Sequence, residues 1–289
     1  MAHKIASFVF IGGCDNFRIM SLEFTKMHGL GNDFVVCDMP DGFDTAMAKK
    51  IADRRFGVGC DQLMVREPAR SKDTDMFLRI YNADGSEAQA CGNGTRCVAH
   101  QWMTAHGKDE CVIETVAGLL RCRMAEDDMV TVDMGAPRLE WQDIPLAEEK
   151  NTLHLGIIGG DLTDPVAVNM GNPHTVFFVE HVERVDIAGL GPQVERHVLF
   201  PERTNVEFAQ VLADDKIRLR VWERGAGVTQ ACGSGACATM VAAVRRGLTG
   251  RTAEIVLDGG SLHLEWRAED NHVLMTGPVA YVFDGVWQG

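Results

Sequence analysis

No run of apolar residues in this 289-residue chain is long enough to cross a bilayer as a helix, which argues against an integral membrane protein. A basic excess is also missing. With 28 Lys and Arg against 41 Asp and Glu the net charge is −13, and no stretch concentrates cations, so neither nucleic acid nor an anionic membrane is expected as a partner. Gly29-Leu30-Gly31 lacks the third glycine of a dinucleotide loop, and no glycine cluster leads into the Lys-Ser/Thr of a phosphate loop. Nine cysteines are many, but their odd number and irregular spacing do not make the framework of a small disulfide-stapled secreted domain, and a reducing cytoplasm is the expected location. Zinc spacing is absent too: Cys91 and Cys97 are separated by five residues, Cys232 and Cys237 by four, on stretches that read as helix. What remains, at 46% apolar and 24% charged residues, is a globular chain with room for two domains.

What is present is a repeat. Gln-Ala-Cys-Gly-x-Gly occurs at Gln89–Gly94 and again at Gln230–Gly235, and Arg79-Ile80-Tyr81 precedes Cys91 by the same interval as Arg220-Val221-Trp222 precedes Cys232. Upstream, Gly31-Asn32 answers Gly171-Asn172, an offset of 140 residues against 141 at the cysteines. An offset near half the chain, held at two places, is the mark of a duplication that gave each copy one half of the molecule. The expected division is 22–136 for the first half, completed by a C-terminal strand at 277–289, and 137–276 for the second, joined near Ala136-Pro137. Residues 1–21 are expected to be an extension outside the fold; Lys4, the apolar Ile5–Ile11 and Gly12-Gly13-Cys14 only faintly resemble a lipoprotein signal.

Around each cysteine the pattern is strand, Gly-rich turn, helix. Ile217, Leu219 and Val221 alternate with Arg218, Arg220 and Trp222 as in a half-buried strand. Helices are predicted over Thr95–His106 and Ala236–Arg246, stopped by Gly107 and Gly247, and the second has almost no polar face, so it is buried all round. Phe34–Cys37, Val130–Met134, Thr175–Val179 and Glu254–Leu257 read as strands. The fold class is α/β in the α+β sense: two pseudo-symmetric domains, each a curled, mostly antiparallel sheet around a buried central helix, with a site in the cleft between them.

A thiol at a Gly-rich turn that opens a helix faces unpaired amides and the positive end of the helix dipole, so it is expected to ionise more easily than a free cysteine, whose pKa is about 8.5. Two such thiols across a cleft suit removal of a proton from one face of a carbon and delivery to the other, with no redox change and no metal. Other readings stay open at this point: a cysteine hydrolase, which leaves the duplicated setting unexplained, and a Cys91–Cys232 disulfide, which would be an oxidised, inactive form. Cys37, Cys60, Cys97, Cys111, Cys122 and Cys237 read as small buried residues.

With both cysteines placed, His28-Gly29-Leu30-Gly31-Asn32-Asp33-Phe34, Asn82-Ala83-Asp84-Gly85, Gly171-Asn172-Pro173-His174, Glu202-Arg203-Thr204-Asn205 and Glu223-Arg224-Gly225-Ala226-Gly227 become informative together. From about Phe24 to the C-terminus the chain closely resembles the diaminopimelate epimerases. The resemblance implies interconversion of LL- and meso-2,6-diaminopimelate without pyridoxal phosphate, metal or other cofactor, on the route to lysine and peptidoglycan precursors, by a homodimer whose partner is the small-molecule substrate. It implies Cys91 as proton donor and Cys232 as proton acceptor when the LL isomer is consumed, assisted by His174 and Glu223. Asn32, Gln62, Asn82, Asn172 and Asn205 would offer amides to the substrate, Arg224 would grip a carboxylate, and Glu223 would also touch substrate. Gly92 with Asn93, and Gly233 with Ser234, would bring helix-end amides to the reacting carboxylate. A related proline or hydroxyproline racemase shares the paired thiols, but would leave Asn82, Asn205 and Arg224 without a second amino acid end to hold. A binding protein that has lost catalysis is a further alternative.

Overall fold

The computed structural model describes residues 21–156, 158–159 and 162–289. The expected extension, apart from Ser21, lies outside the described residues. The first half of the chain runs β1 (Leu22–Gly29), β2 (Asn32–Asp38), α1 (Thr45–Ala52), β3 (Gln62–Glu67), β4 (Met76–Asn82), β5 (Glu87–Ala88), α2 (Gly92–His106), β6 (Glu110–Thr115), β7 (Gly118–Met124) and β8 (Val130–Asp133). A small hairpin, β9 (Ile158–Gly159) and β10 (Leu162–Thr163), follows. Then the same series recurs as β11 (Val166–Asn169), β12 (Pro173–Phe178), α3 (Ile187–Glu195), β13 (Asn205–Ala213), β14 (Lys216–Glu223), β15 (Gly227–Thr229), α4 (Gly233–Arg245), β16 (Thr252–Leu257), β17 (Gly260–Trp266) and β18 (Val273–Gly277), before a last strand β19 (Ala280–Trp287).

Pairing makes the duplication explicit. In the first half β1 to β4 and β6 to β8 pair in sequence order, with β2 parallel to β3 and β4 parallel to β6. The second half repeats this from β11 to β14 and β16 to β18, with β12 parallel to β13 and β14 parallel to β16. A parallel neighbour needs a crossover, and each of the four parallel pairs is bridged by one helix, α1 to α4 in turn. Antiparallel β8–β18 pairing welds the two sheets, and β19 returns to pair with β1, leaving the sheet open.

The alternation expected for β14 is what the strand shows: Ile217, Leu219 and Val221 are buried and the residues between them half-buried. Helix α2 packs Cys97, Val98, Ala99 and Met103 against Met27, Phe34, Met64, Ile80, Ile113 and Val132, the concave side of its sheet. Helix α4, buried over Ala236–Ala243, occupies the same place in the second half, and its many alanines allow strands to close on it from all sides. Gly107 adopts the left-handed conformation that ends α2, with φ 62°.

Two helices differ from the sequence expectation, which placed only α2 and α4 and read most other segments as strands. Helices α1 and α3 are only eight and nine residues long, and α3 carries Gly189, Gly191 and Pro192. Their apolar pattern is too short to reveal a helical period, although Asp44 and Asp186 cap them in the ordinary way. They cover the outer faces of the sheets, α1 over Val35, Leu63 and Val65, α3 over Phe177, Val206 and Phe208.

Candidate active site

Each repeated cysteine is the N-cap of its central helix. Cys91 has φ −149° and ψ 104°, Cys232 φ −120° and ψ 111°, and the two sulfurs accept from the amides of Gly94 at 3.5 Å and Gly235 at 3.4 Å. The Gly-x-Gly after each cysteine forms the first helical turn, so both helices begin three residues earlier than the pattern of apolar residues suggests. The last glycine of each motif leaves room for close packing: a Cβ on Gly94 would lie 2.1 Å from Met64, and one on Gly235 2.9 Å from Glu207 Oε1. Both cysteines are free thiols.

The two helix starts meet. Asn93 donates from Nδ2 to the Ala231 carbonyl at 3.2 Å, across the boundary between halves, and to Asn32 Oδ1 at 3.3 Å. The Cys91 thiol faces the same Asn32 oxygen at 3.9 Å, and Ser234 Oγ lies 3.6 Å from the Cys232 sulfur. Glu223, at the end of β14, accepts from the Thr229 hydroxyl, and its charge acts on both thiols.

The remaining predicted residues fall into four small groups. Gln62 and Asn82 stand opposite each other on β3 and β4, joined by Gln62 Nε2 to Asn82 Oδ1 at 2.9 Å. Asn205 opens β13, donates to the Pro173 carbonyl and accepts the Arg224 amide, both at 2.9 Å, while the exposed Arg224 guanidinium reaches the Glu202 carbonyl. His174 is fully buried, its Nδ1 2.7 Å from Glu207 Oε1 and its Nε2 2.8 Å from Asn172 Oδ1. Gly92 and Gly233 lie on either side of Met275, which would be 2.7 Å and 3.1 Å from a Cβ on each.

The thiols themselves depart from expectation. Burial pushes Cys91 up to about 11, against the lowering pull of the Gly94 amide, and raises Cys232 well above its ordinary value, with Glu223 and Glu207 adding to the rise. The helix end helps, but desolvation of a thiolate outweighs it. Burial likewise raises Glu223 and Glu207 above ordinary carboxylate values.

Sequence reasoning missed Glu207, the fully buried partner of His174. The signal was an acid between Val206 and Phe208 in an otherwise apolar strand start. It also missed the support of Asn32. Asn32 donates to Asp61 at 2.9 Å; Arg54 bridges Asp61 and Asp33 at 2.7 Å and 2.6 Å; the nearly buried Lys26 pairs with Asp33. Burial opposes the charge on Asp33, but hydrogen bonds from Arg54 and Lys26 hold its carboxyl well below the usual range. Asp33→Asn is therefore expected to cost about 2 to 3 kcal/mol at pH 7, less than a fully buried pair because Arg54 stays exposed. A depressed carboxyl stabilises above its unfolded pKa of about 4 and loses that contribution as pH falls toward the folded value, so the deficit should shrink on acidification. Urea titrations at pH 7 and pH 3.5 read it, and equal stabilities at pH 7 would refute it.

The family model described as diaminopimelate epimerase matches residues 24–140 and 166–282, once on each half. A diaminopimelate epimerase of Rhodospirillum centenum is 59% identical over 269 residues, 92% of this chain and 92% of that protein, and one of Phenylobacterium zucineum is 56% identical, covering 92% and 98%. Among solved structures, a hydroxyproline epimerase from Agrobacterium vitis superposes with a TM-score of 0.69 at 14% identity, covering 94% of this chain and 93% of that one. A Bacillus anthracis phenazine biosynthesis protein of the PhzF family gives 0.68 at 16%, covering 93% and 99%, so these two share the fold. With both halves matched by one family and relatives above half identity along nine-tenths of its length, the chain belongs to the diaminopimelate epimerase family and is an isomerase.

Proposed function

We propose that this chain inverts one α-carbon of 2,6-diaminopimelate, converting the LL to the meso isomer by two-base proton transfer. The observation that carries the reading is the meeting of two equivalent cysteine-capped helix starts, tied by Asn93 across the halves. In the LL direction the Cys232 thiolate takes the α-proton, the C–H electron pair passes into the adjacent carboxyl group, and the Cys91 thiol delivers its proton to the opposite face. Cys91 ends as thiolate and Cys232 as thiol, so the cycle balances without an electron acceptor, and no pyridoxal phosphate is invoked.

The developing charge on the carboxyl group is met by the amides at both helix starts, Gly92-Asn93 and Gly233-Ser234, donors that need no reorganisation. Burial, which disfavours a free thiolate, also excludes water; the substrate's own ammonium group supplies a cation that opposes the rise in thiol pKa. His174 and Glu223 orient the reacting end, with Asn32 beside Cys91. Gln62, Asn82, Asn172, Asn205 and Arg224 hold the rest of the substrate, including the unreacting amino acid end. The division into 22–136 with 277–289, and 137–276, is proposed on the strand series and on the return of β19 to β1. A homodimer is proposed as well, supported by the edge strand β19, where Tyr281, Val282, Phe283 and Val286 are about half exposed. The cytoplasm and the lysine and peptidoglycan pathway complete the proposal; among the described residues no helix is long and apolar enough to cross a membrane.

The LL isomer in deuterated water should give, as first-formed product, the meso isomer with one deuterium at the inverted carbon, while proline and 4-hydroxyproline remain unexchanged. Product without solvent deuterium, or exchange of proline in preference, would refute the proposal.

A further inference from the structure

Arg96 is the fully buried cation of helix α2, five residues beyond Cys91. Its Nη1 lies 3.6 Å from the Met275 sulfur, and its Nε and Nη2 have no hydrogen-bond partner among the described residues. None of the salt bridges among the described residues includes it, although arginine is almost never buried without a counter-charge. The socket is built for it: a Cβ on Gly29 would lie 3.0 Å from Nη2, and one on Gly277 3.3 Å from Cζ. Met275, which the guanidinium touches, is the side chain between Gly92 and Gly233, so the charge sits one sulfur behind both helix starts.

The repeat shows that this charge is not part of the shared scaffold. Five residues beyond Cys232 stands Cys237, a neutral thiol. The other half instead has Glu207 where the first has Met64, each two residues into its strand and each against the last glycine of its motif. The groups that bear on Arg96 are Cys91 and Cys97 from α2 and Cys237 from α4. Those that bear on Cys91 are Glu223 from β14, Arg96, and the Asn93 and Gly94 amides; those that bear on Cys232 are Glu223, Glu207, Ser234 and the Gly235 amide. Of the three thiols near Arg96, Cys97 and Cys237 are sealed in the core, whereas Cys91 is half-buried and opens toward Asn32.

We propose that Arg96 is a positioning residue that acts through Cys91, serving as the built-in counter-charge of the Cys91 thiolate, so that Cys91, not Cys232, is the first of the two thiols to ionise in the free enzyme. This rests on the two-thiol reading above. The duplicated scaffold supplies two equivalent thiols, and one unmatched cation on one side with one unmatched carboxylate on the other makes them unequal. Arg96 lowers the cost of charging Cys91, which burial sets high, rather than bringing it to the value of a free cysteine.

Alkylation by iodoacetamide across pH, read separately on the Cys91 and Cys232 peptides by mass spectrometry, tests the proposal without any substrate. In the wild-type chain the Cys91 midpoint should lie at least one pH unit below that of Cys232; equal midpoints, or the reverse order, would overturn it whether or not any variant folds. Arg96→Met should raise the Cys91 midpoint by a unit or more, a roughly tenfold slower reaction at a fixed pH below it, and leave Cys232 within half a unit. Arg96→Lys, which keeps the charge, should hold the wild-type midpoint within half a unit. An unchanged Cys91 midpoint in Arg96→Met, equal shifts of both thiols, or a lysine variant as displaced as the methionine one would each overturn the assignment. Failure of the wild-type chain to exchange diaminopimelate would instead count against the proposed reaction, because alkylation reads the thiols alone.

Discussion

Cys91→Ala and Cys232→Ala are each expected to slow LL-to-meso inversion by about 10³-fold or more, while each retains hydrogen exchange on one isomer. The proposed inversion needs a base on one face of the carbon and an acid on the other, and on that proposal each alanine removes one of the two. The surviving thiolate can still withdraw a proton and return a solvent deuteron to the same face. Cys91→Ala should therefore exchange the α-hydrogen of the LL isomer through Cys232, and Cys232→Ala that of the reacting D centre of the meso isomer through Cys91, neither giving inverted product. The double variant should lose inversion no more severely than either single one, because the thiols act as a unit. Each sulfur is also a helix cap, and replacing it should cost about 1 kcal/mol of stability, too little to unfold the chain and so to explain the loss. Proton NMR in deuterated water follows exchange and inversion together. Either single variant inverting within tenfold of wild type would remove that thiol from the mechanism.

The duplicated features were legible in the sequence because both copies preserve them. A Gln-Ala-Cys-Gly-x-Gly motif that caps a helix in one half caps it in the other, and the strand before it ends at Asn82 or Glu223 at the same distance. Helices α2 and α4 were legible because each runs from its repeated Gly-x-Gly to a stopping glycine, while α1 and α3 have no such motif and are too short to display an apolar period. The features that break the repeat were hidden. Arg96 on a helix reads as an exposed charge until Gly29 and Gly277 are seen to make room for it. The thiol pKa values needed the tertiary structure outright, since a sequence shows the helix end that lowers them but not the burial that raises them.

Glu207 is the hidden feature with the largest expected consequence. In the first half the corresponding places on β2 and β3 hold Phe34 and Met64, and both pack in the core against α2. The second half replaces that apolar pair with His174 and Glu207, both fully buried and 2.7 Å apart, with the carboxylate against the first turn of α4. The carboxylate accepts from Nδ1 and fixes the imidazole's orientation, and the Asn172 amide, which offers both a donor and an acceptor, can meet Nε2 in either protonation state. Glu207→Leu leaves Nδ1 buried and unpaired. It is expected to cost about 3 to 5 kcal/mol of stability and to lower kcat by about 10²-fold. Glu207→Gln keeps the acceptor and the volume but not the charge, and should lower kcat only about tenfold, with KM changed far less.

The pH profile separates positioning from activation. Glu207 raises the Cys232 pKa, after burial and Glu223, so the glutamine variant should ionise Cys232 at lower pH than wild type while turning over more slowly. A group that activated the thiol would give the opposite pairing, a slower enzyme whose Cys232 limb moves to higher pH. Full activity in Glu207→Gln with an unmoved limb would show that His174 needs no buried partner, and the pair would then be a packing feature of the second core.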